Sequence, residues 1–226
     1  MKNQYKGLLI RAAPGLHEKI FRLVSDHTLF GELIDVGAGQ GALTERFSEA
    51  GYRVTAVDID AADFKAKNYL RRITLNFNDK VEVESFMKIH AGKYDVVLGI
   101  EVIEHVENPW SYVRQLVDLA KQGGLVVIST PNPTSWHSRL RFLISGVYDE
   151  FSEISQEGHI NPISPWELAM IMKKSNLSSI KIYSAGRVYD KPTPVQLLVF
   201  FFSLILRPFQ KGLLDGYCIV ATALVK

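Results

Sequence analysis

The sequence holds one cysteine, Cys218, in 226 residues. A disulfide framework and a cysteine-ligated zinc site each need more than one, so neither can form within the chain. Charge of one sign is also lacking. Lys and Arg number 26 against 24 Asp and Glu, a formal net charge of +2, which argues against nucleic acid as a partner held by bulk electrostatics. No apolar run reaches the roughly 20 residues that a bilayer-spanning helix needs. Residues 1–13 lack the pattern of a secretory leader, so the expected location is the cytoplasm. Internal repeats, a P-loop and a serine nucleophile elbow are missing as well. What the chain does have is a hydrophobic fraction of 47%, too high for disorder. Its length suits a single domain over 1–226.

Along the chain, apolar spacing predicts a helix at 14–28, a strand at 33–36, a helix at 42–50 stopped by Gly51, and a strand at 52–57. Residues 61–70 read as helical, and 72–91 give no clear pattern. A strand at 94–98 follows. Then Asn108 and Pro109 open a helix expected to run to Gly123 and Gly124, with a strand at 125–129 behind it. This alternation predicts an α/β fold: a Rossmann-like, seven-stranded, mostly parallel doubly wound sheet. Strands at 178–184 and 217–224 would close it as an antiparallel pair. Residues 1–30 form a helical N-terminal cap in this reading, and 131–163 an irregular substrate-side insertion. Ser164 begins a further helix with capping-box spacing to Glu167.

Asp35-Val36-Gly37-Ala38-Gly39-Gln40-Gly41 lies between the first strand and the following helix. Glycines there let the backbone turn sharply and let a ligand approach it. Asp58 ends the next strand roughly 20 residues on, the placement from which a carboxylate reaches a ribose diol. A nucleotide-cofactor oxidoreductase using NAD would also suit these features, but the spacing is GxGxG rather than GxGxxG. A non-catalytic module keeping the fold is a third reading, against which the intact glycine loop argues.

The stretch LIDVGAGQGALT, followed by VTAVDID, YDVVLGIEVIEHVENP and QGGLVVISTPN, resembles the motif series of class I S-adenosylmethionine-dependent methyltransferases over residues 30–132. The later segments SRLRFLISG and GHINPISPWEL resemble a bacterial subgroup associated with saccharide or quinone modification. The resemblance implies S-adenosyl-L-methionine as cofactor. It implies that Gly37, Gly39 and Gly41 line it, that Asp35 helps hold its amino acid part, and that Asp58 holds the ribose with Ile59 against the adenine. Gly99 would face the methionine end. The family's acidic adenine contact has no clear counterpart here. Leu75 and Asn76 are favoured for it over the register at Glu84, Ser85 and Phe86.

Glu101, Glu104 and His105 follow the fourth strand at spacings that place them on one side of a helical turn. With His159 they make a donor set suited to a divalent cation. The ExxEH sequence plus a distal histidine resembles the small-RNA 2′-O-methyltransferases and the ubiquinone O-methyltransferases, which implies a metal such as magnesium or manganese on Glu101, Glu104, His105 and His159. Without a metal, His105 is the candidate base, supported by Glu104, because an imidazole titrates near neutrality. Either route predicts an oxygen acceptor. His17, His27, His90 and His137 have no partner spacing and read as structural or solvated.

The acceptor side is expected in 131–163, where Trp136, Arg139, Arg141, Phe142, Tyr148 and Phe151 mix apolar and basic character. That lining suits a bulky or lipid-linked acceptor with an anionic group, and equally suits ordinary packing; the acceptor is expected to be a small-molecule, glycan or lipid-linked compound. The longest apolar run, VQLLVFFFSLIL at 195–206, lies in a segment (192–212) between the last two strands. As a helix it would rise only ~18 Å. It reads as a buried helix or homodimer interface, as a peripheral contact on the inner face of the membrane, or as a substrate lid.

Overall fold

The computed structural model describes residues 3–60, 62–151, 158–186, 201, 204 and 211–226. A short antiparallel hairpin of β1 (Gln4–Tyr5) and β2 (Leu8–Leu9) precedes α1 (Leu16–Ser25). The expected helical cap thus opens with a hairpin. The sheet is then built from β3 (Glu32–Val36), β4 (Arg53–Asp58), β5 (Arg71–Thr74), β6 (Tyr94–Ile100), β7 (Ala120–Pro131), β8 (Leu177–Ala185) and β9 (Cys218–Val225). Their spatial order is β5-β4-β3-β6-β7-β9-β8. The first five run parallel, and β9 inserts antiparallel between β7 and β8. This is the mostly parallel seven-stranded sheet with an antiparallel C-terminal pair that the sequence predicts.

The central strands bury both faces, which is why β6 reads as an almost continuous apolar run. On one face, α3 (Lys80–His90), α4 (Pro109–Leu119) and α6 (Pro165–Lys174) pack over Ile34, Val97 and Ile128. On the other, α1 and α2 (Ala42–Glu49) pack over Leu33, Leu98 and Val220. The alternation of Leu33 and Ile34 between the two faces is the period-2 pleat of a strand. Several helices start where the sequence says they should. Asn108 Oδ1 accepts from the Ser111 amide at 2.9 Å, and Ser164 Oγ accepts from Glu167 at 3.1 Å. Caps of this kind contribute about 1 kcal/mol each.

Four local expectations change. Residues 62–70 form bends and irregular chain, not a helix. The Glu45 carboxylate captures the Lys67 and Asn68 amides at 2.7 and 3.0 Å, donors that a helix would have used internally. The unclear stretch 72–91 holds the end of β5 and all of α3, capped by Asp79. The helix opened by Asn108 stops at Leu119, because Ala120 pairs with Tyr94 and starts β7 well before Gly123. The insertion after Pro131 contains α5 (Trp136–Ser145), whose N-cap Ser135 accepts from Ser138. Most of the 195–206 run lies outside the described residues; Phe201 and Leu204 are described, and both are exposed. Among the described residues, no helix is long and apolar enough to cross a membrane.

Candidate active site

The chain runs outward from β3 to the edge at β5 and returns to β6 on β3's other side. Parallel sheets leave a crevice at such a reversal, beyond the carboxyl ends of the strands. A cavity of about 920 Å³ occupies it. Asp35, the glycine loop, Asp58, Ile59, Leu75, Asn76, Glu101, Glu104, His105 and His159 all line this one space.

The loop after β3 is tied down by the next strand. Gly37 and Ala38 donate to the Val57 carbonyl at 2.8 and 3.1 Å, and Gly39 donates to Asp58 Oδ2 at 2.7 Å. Gly37 has φ +81°, and a Cβ there would lie 2.1 Å from Val102 Cγ2. At Gly39 a Cβ would meet nothing within 4 Å, so the backbone there borders open cavity. A carboxylate at a strand end, an open glycine backbone beside it and the apolar Ile59, 65% exposed, at the rim fit a nucleoside cofactor. Asp35 is sealed under the loop and accepts from Thr44 Oγ1 at 2.7 Å. Burial pushes its carboxyl up to about 6; the Thr44 bond opposes this and the Asp58 charge adds to it.

Two of the expected cofactor glycines serve packing. Gly41 is absent from the lining. It caps α2 at φ +83°, and a Cβ would press on Ala66 at 2.5 Å and Phe64 at 2.8 Å. Gly99 lies inside β6, where a Cβ would meet the Tyr112 hydroxyl at 2.7 Å and Leu116 at 2.8 Å. The lining begins instead with Ile100, the last residue of β6, and Glu101 after it. Leu75 and Asn76 reach the cavity at the end of β5, whereas Glu84, Ser85 and Phe86 lie in α3.

Glu104, His105 and His159 converge, with one ligand atom from each within 4.8 Å of the others. Residues 158–161 are stitched onto 104–106 to bring this about. Ile160 and Asn161 donate from their amides to the Glu104 carbonyl at 2.9 and 3.1 Å, and the Asn161 side chain donates to the Val106 carbonyl. The two imidazoles meet edge to face, 4.5 Å between centroids. Nδ1 of His105 lies 3.0 Å from the Gly158 carbonyl, and Nδ1 of His159 lies 2.8 Å from the Glu150 carbonyl. A carbonyl only accepts, so in the neutral form each ring carries its proton on Nδ1 and keeps the lone pair on Nε2. Burial, then the neighbouring His159, lowers the His105 pKa, which keeps the ring neutral at neutral pH.

Glu104 is fully buried, and neither of its carboxylate oxygens has a hydrogen-bond partner. Burial, reinforced by Glu101, pushes its carboxyl well above the usual range. An orphaned buried acid beside two free imidazole nitrogens fits a divalent cation. Glu101, expected as a fourth ligand, is not among the atoms that converge there. It adopts φ 53° and accepts from Ser129 Oγ at 2.7 Å and Cys218 Sγ at 3.4 Å. Burial pushes its carboxyl to about 7, against the pull of those two bonds.

Three cavity residues escape sequence reasoning. His17 lies on the buried face of α1 with Leu16, Ile20 and Val24, so helical spacing presents it as core. Its Nδ1 is buried without a partner, and burial, then Arg46, lowers its pKa to about 4. Glu150 and Tyr217 meet in a hydrogen bond across 67 residues of chain, and neither sits in a motif.

A doubly wound α/β domain with a nucleoside-type cavity at its switch point and a carboxylate–histidine cluster beside it defines a group-transfer enzyme of the nucleoside-cofactor class. The comparisons carry this to the family. A family model described as a methyltransferase domain matches residues 7–182. The ubiquinone biosynthesis O-methyltransferase of Nitrosospira multiformis is 33% identical over 172 residues, 70% of this chain and 72% of its own. Further ubiquinone biosynthesis O-methyltransferases match over about half their length, such as that of Glaesserella parasuis, 36% identical over 51% of its own chain. A SAM-dependent methyltransferase from Archaeoglobus fulgidus shares the fold at TM-score 0.67 and 17% identity, covering 92% of each chain. So does the Burkholderia thailandensis 1,6-didemethyltoxoflavin-N1-methyltransferase, solved with its substrate and S-adenosylhomocysteine (TM-score 0.61, 15% identity, 94% of this chain and 80% of that one). The chain belongs to the class I S-adenosylmethionine-dependent methyltransferases. Its cofactor is S-adenosylmethionine and its reaction class O-methylation; the oxidoreductase and non-catalytic readings are not favoured.

Proposed function

We propose that the chain methylates a hydroxyl that reaches the free Nε2 atoms of His105 and His159. The observation that carries this is the histidine pair, both Nδ1 protons committed to main-chain carbonyls and both rings facing the cavity beside Glu104. S-adenosylmethionine supplies an electrophilic methyl group on a positively charged sulfur. Asp58 would hold its ribose, Asp35 and the glycine loop would orient it, and Ile59, Leu75 and Asn76 would enclose the base. Nε2 of His105 would take the proton that the acceptor hydroxyl gives up on methylation. Aligning acceptor and methyl in a space that excludes water does most of the remaining work. Base action of this kind is typically worth about 10²–10⁴-fold.

Glu104, His105 and His159 also fit a magnesium or manganese ion, which when bound would lower the pKa of an acceptor hydroxyl as it does that of water. The two routes separate experimentally. S-adenosylmethionine and its demethylated product are expected to raise the melting temperature, and NAD to leave it unchanged. His105→Ala is expected to lower turnover on a hydroxylated acceptor at least about 10²-fold. Loss of activity on chelation, with recovery on adding manganese, selects the metal route. Unchanged activity after chelation selects His105 as base. Full activity of His105→Ala in both conditions would remove the cluster from the chemistry.

The acceptor is a lipid-linked or glycan-bearing hydroxyl compound in this reading, and the protein meets it at a membrane surface. Phe142, Leu143 and Ile144 support this: they form one turn of α5 and are 44%, 81% and 77% exposed. Exposed apolar residues in contiguous sequence are unusual on a solvated helix. The protein is expected to float with anionic vesicles, and Leu143→Asp with Ile144→Asp to stay in the soluble fraction. Equal flotation of both would exclude α5 as the contact.

A further inference from the structure

Glu150 holds a left-handed backbone conformation, φ 65°, which crowds the Cβ of any residue but glycine. Such a conformation persists only where its surroundings over-determine it. Here the surroundings are explicit. The Tyr217 hydroxyl donates to Glu150 Oε1. The preceding residue, Asp149, is held at three points: its amide donates to Ser138 Oγ at 3.0 Å, and its carboxylate takes His137 at 3.0 Å and Arg141 at 2.6 Å. Tyr217 is itself placed by the sheet, since its amide donates to the Gly186 carbonyl at 3.3 Å and its carbonyl accepts from Asn132 at 2.8 Å. The strained backbone of Glu150 then presents its carbonyl to Nδ1 of His159 at 2.8 Å.

That carbonyl is what leaves Nε2 of His159, in the neutral ring, without a proton, with the His105 ring 4.5 Å away between centroids. The contact connects the start of β9 to a histidine on a separate loop through one glutamate, using its side chain on one side and its main chain on the other. Glu150 and Tyr217 both line the cavity, so the connection runs along the wall of the site. Burial, strengthened by Glu150, raises the Tyr217 pKa, which keeps the phenol a donor throughout the working pH range.

We propose that Tyr217 and Glu150 are positioning residues, a latch that sets the tautomer and orientation of His159. The proposal rests on the histidine-pair reading of the active site only for its consequence in turnover. The tautomer itself is read without any assay of activity.

Tyr217→Phe removes the donor alone. Glu150→Gln keeps an acceptor oxygen for the phenol, and Glu150→Ala removes it. Histidine ring nitrogens of the full chain are observed by ¹⁵N NMR at neutral pH. His159 is expected as the single Nδ1–H tautomer in the wild-type protein and in Glu150→Gln, and as a tautomer mixture in Tyr217→Phe and Glu150→Ala. His105, held by Gly158, is expected to keep its tautomer in all four. In turnover, Tyr217→Phe and Glu150→Ala are expected to lose about tenfold in kcat, the range for removing an outer hydrogen-bond partner. KM for S-adenosylmethionine should stay within about twofold, because neither residue joins the glycine loop. The double variant should be no worse than the poorer single variant, as expected of two residues acting through one contact.

A single Nδ1–H tautomer of His159 in both Tyr217→Phe and Glu150→Ala would overturn the latch. So would a Glu150→Gln variant as disturbed as Glu150→Ala. Should Tyr217→Phe fail to fold, Glu150→Ala tests the same contact from the loop side. A shifted tautomer with unchanged kcat would leave the latch standing and overturn the histidine-pair reading instead.

Discussion

Glu104→Gln melts at a higher temperature than the wild-type protein at neutral pH and turns over at least about 10²-fold more slowly. The two effects share one cause. Glu104 is sealed in the protein with both oxygens unpartnered, and burial followed by the Glu101 charge raises its pKa. The unfolded chain releases that proton near the ordinary carboxylate value of 4.5, while the folded chain keeps it. Above that pH the unfolded state therefore binds fewer protons, and wild-type stability falls as pH rises. Glutamine does not titrate and carries no such loss. The gain is the pH-dependent loss that the non-titrating amide avoids, and each kcal/mol is worth roughly 2–4 °C in a domain of this size. Melts at a series of pH values should show the two proteins converging near pH 4 and separating toward pH 8. A difference that is flat or of opposite sign would show that Glu104 is not protonated by folding. The loss of turnover follows because glutamine cannot give up a proton, as the acid can, to become the carboxylate that balances positive charge arising on His105 or brought by a divalent cation.

Gly37→Ala weakens S-adenosylmethionine binding by at least about 10²-fold, close to 3 kcal/mol. The new methyl group would stand 2.1 Å from Val102 Cγ2, on backbone at φ +81° that alanine resists. Overpacking of this kind costs about 1–3 kcal/mol, and the chain answers it by shifting. Here the part that shifts is the cofactor loop itself, or Val102 together with Glu104 and His105 just beyond it. Gly39→Ala is the matched control for crowding: at φ +53° it shares the backbone strain, but its Cβ would meet no protein atom within 4 Å. That variant should lose only about 1–2 kcal/mol, the cost of a left-handed alanine, and still bind cofactor poorly, because its methyl group enters the cavity. Titration calorimetry with S-adenosylmethionine checks both. Affinity of Gly37→Ala within about fivefold of wild type would mean that the loop relaxes without losing the site.

The parts of the molecule legible in the sequence are those whose chemistry is local. A strand, a glycine turn and a helix start follow one another between Glu32 and Ala42, and each leaves its own composition in the chain. Asp58 and the run from Glu101 to His105 are legible for the same reason: they end strands whose apolar residues announce them. What sequence reasoning misses is held by distant partners. Residues 62–70 look helical until Glu45 takes their amide protons. Gly41 and Gly99 look like cofactor glycines because glycine composition does not say whether a ligand, or Phe64 and Tyr112, needs the space. His105 and His159 are visible as residue types. Their tautomers, however, are set by the main-chain carbonyls of Gly158 and Glu150, groups that every residue carries and that no motif records.

The position of β9 has a consequence for how the enzyme is made. β9 is later in the chain than both of its neighbours, yet it lies between them. During synthesis the chain leaves the ribosome in sequence order, and domains assemble from the N-terminal side. Until residues 218–225 have emerged, β7 keeps an unpaired edge, β8 has no strand beside it, and Tyr217 has no anchor. The glycine loop and Asp58 belong to strands completed long before. A nascent chain can thus acquire its cofactor pocket early and its finished catalytic wall only at the last strand. The interval leaves an open sheet edge for a chaperone to cover.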